Sequence, residues 1–157
     1  TGSKGDKMTG LTGAFRWHHT GIAVADIDRT LTFYRETLGF DVAFEARGMT
    51  DLIESITGVP GLRADLVQCV SPLGNQVLEF IQFHNVPESA QEILPIRPGR
   101  VHTAYLVPDL EHAIAATVAA GGQMLGSITK FEEGRAVYCA DSSGNVIEWE
   151  EAKEVGA

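Results

Sequence analysis

Two strand-and-helix units can be recognised from the pattern of apolar and polar residues. Residues 17–24 are mostly apolar and are bounded by polar residues, which predicts a β-strand. Asp26 then offers an N-cap and Gly39 a C-terminal stop for a helix whose apolar residues recur every three or four positions. Asp109 and Gly121 bracket a second segment of the same kind.

Shorter alternating segments predict the remaining strands. Two pairs of them enclose turn-forming residues and predict hairpins. These predicted strands are residues 40–44, 66–70, 77–83, 137–140 and 146–150. Residues 50–57 predict a short helix that ends before Gly58, and Pro60 with Gly61 turns the chain back.

The chain is similar to itself. HTGIAVADI at residues 19–27 matches HTAYLVPDL at 102–110, and GNQVLEF at 74–80 matches GNVIEW at 144–149. Each half therefore begins with a histidine, ends with a glutamate and reads as a βαβββ unit. The predicted fold is an α+β domain of two paired βαβββ modules that form a curved mixed sheet.

The expected boundaries follow from this repeat and from the composition of the segments around it. Residues 1–14 are predicted to be a tag or a disordered segment, and residues 151–157 a frayed tail. Residues 15–150 form one domain, with modules at about 15–85 and 100–150. Residues 84–99 contain three prolines and are predicted to be a linker folded over the surface.

Charge and composition narrow the function classes. The net charge is −9, which argues against nucleic acid and against an anionic membrane surface as partners. No apolar run approaches the roughly 20 residues of a membrane-spanning helix, so we expect a cytoplasmic protein that binds a small molecule. Cys69 and Cys139 are expected to be buried thiols in a reducing cytoplasm, although the sequence leaves a disulfide between them open.

The repeated histidines and glutamates are candidate metal ligands. Side chains alternate across a strand, so His19, Glu79, His102 and Glu148 can all point to one concave surface if the two modules pair about a pseudo-twofold axis. A glutamate within an apolar run is costly to bury unless it is paired or bound to a metal. Two imidazoles and two carboxylates suit a divalent transition metal. The same alternation predicts that His18 points to the opposite face and is structural.

Four segments together resemble the vicinal oxygen chelate superfamily. They are HHTGIAVADIDRTLTFYRETLGF, GNQVLEF, VHTAYLVPDL and DSSGNVIEW. This superfamily includes glyoxalase I, methylmalonyl-CoA epimerase, extradiol dioxygenases, and fosfomycin- and bleomycin-resistance proteins. The resemblance implies paired modules, a homodimer, and bidentate binding of substrate oxygens to a Ni, Zn, Co, Mn or Fe ion. The ligands that it implies are His19, Glu79, His102 and Glu148.

Glyoxalase-like chemistry is the first expectation. The His-Glu-His-Glu set resembles that of bacterial glyoxalase I, which implies proton-transfer isomerase or lyase chemistry with Glu148 as the base and Glu79 as the alternative. Glyoxalase I usually has an arginine and an asparagine for glutathione where this chain has Ala23 and Phe83. Since alanine cannot bind a carboxylate, another substrate is at least as well supported.

Three alternatives remain open within the superfamily. An epimerase-like enzyme is disfavoured by Gln68, which falls near the place of a second catalytic glutamate in the family epimerases. An extradiol-type dioxygenase uses two histidines and one carboxylate, so Glu79 would occupy an additional coordination position. A non-catalytic resistance or ligand-binding protein is disfavoured by the intact ligand set, which bleomycin-binding relatives lack.

Candidate substrate contacts are less well defined. Phe83 and Phe131 are expected as pocket walls, and Arg100 and Arg135 as loop cations that could bind an anionic substrate. The competing interpretations are core packing for the aromatic residues and solvated surface charge for the arginines.

Overall fold

A computed structural model describes residue 11 and residues 14–154 of the chain. The predicted tag or disordered segment therefore lies largely outside the described residues, as does the end of the predicted tail. The last strand continues through Ala152, two residues beyond the expected end of the domain.

Within the described residues, eight strands form a single curled sheet with three helices packed against it, which confirms the α+β prediction. The strands are β1 (Arg16–Ala23), β2 (Asp41–Met49), β3 (Arg63–Val70), β4 (Val77–His84), β5 (Val101–Leu106), β6 (Gln123–Lys130), β7 (Gly134–Ala140) and β8 (Val146–Ala152). The helices are α1 (Ile27–Leu38), α2 (Asp51–Thr57) and α3 (Leu110–Ala119). The strand order is β2-β3-β4-β1-β5-β8-β7-β6.

The two modules meet at the centre of this sheet. β1 and β5 pair antiparallel, with Thr20 opposite Thr103. β1 is also parallel to β4, and β5 is parallel to β8, so each module contributes the same pair of strands on its own side of the centre. The first and last strands of both modules therefore lie side by side within one chain.

Local sequence signals fix the ends of the two longer helices. The Asp26 side chain accepts a hydrogen bond from the Arg29 backbone N–H at 3.0 Å, and Gly39 ends α1 at a φ of 73°. In the second module Asp109 accepts from the His112 backbone N–H at 3.0 Å. Both predicted N-caps are confirmed.

α1 and α3 cover one face of the sheet, called the outer face here. α1 packs against Phe80 and Cys69, whereas α3 packs against Val137 and Cys139. The two cysteines are buried in separate apolar clusters and are both free thiols, so no disulfide joins them.

The opposite, inner face carries Ile81, Ala136 and Ala140 and is covered in part by α2 and by residues 85–100. Side chains from both covering segments join the same apolar cluster, among them those of Ile53, Ile56, Leu94 and Ile96. This packing covers one part of the inner face. The polar residues described next come from the central strands of the same face. No helix among the described residues is long and apolar enough to span a membrane.

Candidate metal centre

Four adjacent central strands each supply one polar side chain to the inner face. They are His19 from β1, Glu79 from β4, His102 from β5 and Glu148 from β8. Strand register brings them together on two neighbouring rows: Gly21 lies between Glu79 and His102, and Ala104 lies between His19 and Glu148. The predicted convergence of the four residues is therefore present, and it is complete within one chain.

The ligand-type atoms of these residues face one another across short distances. His19 Nε2 lies 3.2 Å from Glu148 Oε2 and 3.4 Å from Glu79 Oε1, and His102 Nε2 lies 3.4 Å and 3.9 Å from the same two oxygens. All four residues are buried, with at most 6% of any of them exposed. One atom from each residue can be chosen so that all four lie within 4.8 Å of one another.

Several of these buried atoms have no hydrogen-bond partner. Among the described residues, His19 Nε2, His102 Nε2 and Glu148 Oε2 are all unpaired. Buried polar atoms are almost always paired, because an unpaired one loses its interaction with water without replacement. A divalent cation among them would satisfy all three atoms, and the two-nitrogen, two-carboxylate donor set fits a transition metal.

The electrostatics of the cluster is dominated by its two carboxylates. Burial on its own would lower the pKa of His19, but Glu79 and Glu148 outweigh it and raise that pKa to about 11. Burial would raise the pKa of Glu148, yet His102 and His19 hold it well below its ordinary value. The site therefore favours a positive charge between the two carboxylates.

Gly21 makes room for one of the candidate ligands. A Cβ atom at position 21 would overlap the imidazole ring of His102, which crosses over β1 at this point. On its other side, the His102 ring packs against Tyr138, with ring centroids 5.1 Å apart. Any side chain larger than hydrogen at position 21 would displace this ring.

Gln68 fixes the orientation of Glu79. It lies opposite Glu79 on the neighbouring strand, and its Nε2 donates to Glu79 Oε2 at 2.7 Å. The other carboxylate oxygen, Oε1, faces His19 and His102. This outer contact was not predicted from the sequence.

The predicted orientation of His18, on the face opposite to His19, is wrong. The register between β1 and β5 shifts between Trp17 and His19, and this bulge breaks the alternation of side chains. As a result the His18 ring lies beside that of His19, with the two Nδ1 atoms 2.7 Å apart. Glu150 lies behind this pair, with Oε2 at 3.5 Å from His18 Nδ1.

The four predicted substrate contacts lie in different places. Phe83 and Phe131 pack against the apolar cluster of the inner face. Arg100 is exposed and lies 3.6 Å from Glu92. Arg135 is not brought to the site: it lies on the outer face, where Glu111 of α3 and Glu151 bind its guanidinium group. Because β7 alternates, Arg135 and Tyr138 project from opposite faces of the sheet.

Residues 16–149 match the family model described as the Glyoxalase/Bleomycin resistance protein/Dioxygenase superfamily. The chain belongs to this superfamily. Its members include metal-dependent enzymes, epimerases and glyoxalases among them. A comparison with curated protein sequences finds no match.

Solved structures show the same superfamily fold at low sequence identity. A methylmalonyl-CoA epimerase from Mycobacterium tuberculosis is 21% identical, with a TM-score of 0.63 over 88% of each chain. A hypothetical protein from Bacillus halodurans is 21% identical, with a TM-score of 0.62 over 92% of this chain and 99% of that one. A methylmalonyl-CoA epimerase from Streptomyces coelicolor, solved with 2-nitronate-propionyl-CoA, is 20% identical, with a TM-score of 0.58 over 90% of this chain and 97% of that one.

Proposed function

We propose that this protein is a glyoxalase-like enzyme that binds one divalent transition-metal ion and catalyses proton-transfer isomerisation or lyase chemistry. Its ligands are His19, Glu79, His102 and Glu148, and its substrate is a small molecule with two adjacent oxygens. The observation that carries the proposal is the close approach of four buried ligand-type atoms, one from each residue, of which those of His19, His102 and Glu148 include unpaired atoms. The ion, when bound, supplies Lewis-acid stabilisation of negative charge that develops on the substrate oxygens.

Glu148 is the carboxylate best suited to move the proton. The Gln68 amide donates to Glu79 Oε2 and so fixes the orientation of the Glu79 carboxylate. No amide donates to Glu148 among the described residues, so its carboxylate is freer to turn: one oxygen would hold the ion, and the other can take a proton from a substrate carbon and return it to the neighbouring atom. Glu79 remains the alternative base, and Gln68 cannot act as one because a neutral amide takes no proton near neutral pH.

The surroundings of Ala23 favour a substrate other than a glutathione adduct. The Ala23 backbone N–H donates to the Arg100 carbonyl oxygen and the Ala23 carbonyl oxygen accepts from the Gly99 N–H, each at 2.9 Å, and the Ala23 side chain is buried. Leu94 and Ile96 cover the adjoining part of the inner face. The more open side of the centre lies at His18 and Glu150, whose side chains are 34% and 21% exposed. The substrate would approach from there.

The test combines metal analysis with a substrate screen. Protein freed of metal by a chelator is loaded with Ni(II), Zn(II), Co(II), Mn(II) or Fe(II). Each form is then assayed with the methylglyoxal–glutathione hemithioacetal, methylmalonyl-CoA and catechols. We expect turnover that is lost in Glu148→Gln while metal is retained. Glu36→Gln, an exposed glutamate on α1, is the matched control.

The outcomes separate the competing functions. Absence of metal binding by the wild-type protein would refute the proposal. Ligand binding without turnover in any metal form would favour a resistance or ligand-binding protein. Turnover of catechol by the Fe(II) form alone would favour a dioxygenase, and turnover of methylmalonyl-CoA would identify an epimerase.

A further inference from the structure

His18 and His19 are neighbours in sequence whose rings meet on the same side of the sheet. In a regular strand they would point to opposite faces, but the bulge between Trp17 and His19 turns the His18 ring towards its neighbour. The ring centroids lie 5.0 Å apart at an angle of 78°, and the two Nδ1 atoms are at hydrogen-bond distance, 2.7 Å.

Only one assignment of protons suits this contact and a metal ligand together. His19 Nε2 points at Glu79 and Glu148, so it must present its lone pair there to bind a cation. The proton of the neutral His19 ring then lies on Nδ1, which donates. His18 Nδ1 accepts, and the His18 proton lies on its Nε2.

The same hydrogen bond is available whether or not a cation is bound. A fully protonated His19 ring also carries a proton on Nδ1 and donates it in the same direction. His18 can therefore hold the His19 ring in one orientation before metal arrives, which lowers the cost of ordering this ligand.

Glu150 is the competing partner for His19 Nδ1. Its Oε1 lies 3.8 Å from that atom, which is beyond hydrogen-bond distance, whereas His18 Nδ1 is within it. The ligand atoms of His18, His19 and Glu150 are also close enough to hold an ion. Filling this group and the proposed centre at the same time would require the His19 ring to lose both protons and bridge two cations.

We infer that His18 is a positioning residue for the metal centre: its Nδ1 accepts the hydrogen bond that fixes the ring and the proton position of His19. The inference rests on the proposed function, since it assumes a metal at His19, Glu79, His102 and Glu148. His18 itself binds no metal in this assignment and acts only through His19.

A matched pair of variants tests the inference. In His18→Asn the side-chain oxygen can occupy the place of Nδ1 and accept the same bond, whereas His18→Leu has a similar shape and no acceptor. Metal affinity is measured by competition with a chromophoric chelator, and ligand geometry by the visible spectrum of the Co(II) form. We expect His18→Leu to bind metal about 10–100-fold more weakly with an altered spectrum, and His18→Asn to stay within about threefold of wild type.

The outcomes distinguish this inference from the proposed function. If the wild-type protein binds no metal, both fail. If it binds metal and His18→Leu binds it equally well with an unchanged spectrum, the positioning role is overturned and the proposed function stands. Two ions per wild-type chain and one in His18→Leu would make His18 a ligand and also overturn the inference. Should His18→Leu not fold, nitrogen-15 NMR of the Zn(II) wild-type protein decides, with a proton on His19 Nδ1 and none on His18 Nδ1 expected.

Discussion

The imidazole ring of His102 occupies the space that a side chain at Gly21 would need. These residues lie opposite each other on β1 and β5, and the ring reaches across the strand towards the carboxylates of Glu79 and Glu148. The position of one candidate ligand therefore depends on a residue that offers no ligand atom.

Gly21→Ala should disrupt the centre without removing a ligand. The new methyl group would push the His102 ring out of line, and overpacking of this kind costs about 1–3 kcal/mol of unfolding free energy. We expect metal affinity to fall at least about tenfold, as measured by chelator competition, together with a lower midpoint of urea unfolding. Thr20→Ala, on the same strand, is the control. Unchanged metal affinity in Gly21→Ala would show that the ring does not need this space.

Gln68→Met should weaken metal binding through Glu79. Methionine keeps the length of the side chain but cannot donate to Glu79 Oε2, so this carboxylate loses its outer support. We expect about a tenfold loss of metal affinity, which is within the usual range when a residue that hydrogen-bonds to a metal ligand is replaced. Isothermal titration with Zn(II) or Ni(II) measures it, and Gln76→Met in an exposed turn is the comparison. Equal affinities for both variants would contradict the role given to Gln68.

The metal content should be one ion per chain, whatever the oligomeric state. All four candidate ligands come from strands of the same sheet in the same chain, so a homodimer, which we propose from the family resemblance, is not needed to complete the site. Native mass spectrometry over a dilution series should show each chain retaining its ion as the complex dissociates. Loss of the ion together with dissociation would instead indicate a site that is shared between chains.

Ionised Asp65 should stabilise the folded protein, and this stabilisation should be lost at acid pH. The Gly48 backbone N–H donates to Asp65 Oδ1 at 2.8 Å, and with help from His84 this holds the pKa of Asp65 below its ordinary value of 3.8. A carboxyl whose pKa is lowered on folding stabilises the protein above its unfolded pKa, and this effect is lost as pH falls through the folded value.

The measurement for Asp65 compares urea unfolding of wild type and Asp65→Asn at several pH values. The difference in unfolding free energy should be largest above about pH 4 and should shrink as the pH approaches 2, following the direction of the shift. Asp41→Asn, at an exposed carboxylate on β2, is the comparison variant. If the difference in unfolding free energy between wild type and Asp65→Asn stays constant from pH 2 to 7, the stabilising role of ionised Asp65 is wrong.

The strands, the helices and the convergence of the four polar residues could be predicted, whereas the contacts around them could not. Periodicity and the repeat indicate which residues share a face, and Asp26 and Asp109 mark the helix starts by their own hydrogen bonds. The orientation of His18 could not be predicted, because a bulge arises from how two strands pair. Arg135 was predicted on a loop before a strand at residues 137–140, but β7 begins at Gly134, so Arg135 lies within the strand and alternation directs its side chain to the outer face.

The sequence by itself determined the duplicated strand-and-helix pattern and the four residues that could bind a metal, because side-chain alternation and capping are local properties of the chain. Only the tertiary structure decided that Gly21 admits the His102 ring, that Gln68 holds Glu79 and that His18 reaches His19. Each of these contacts depends on register between strands or on a local break in it. Register is set by the packing of the whole sheet, so residues far apart in sequence decide it together.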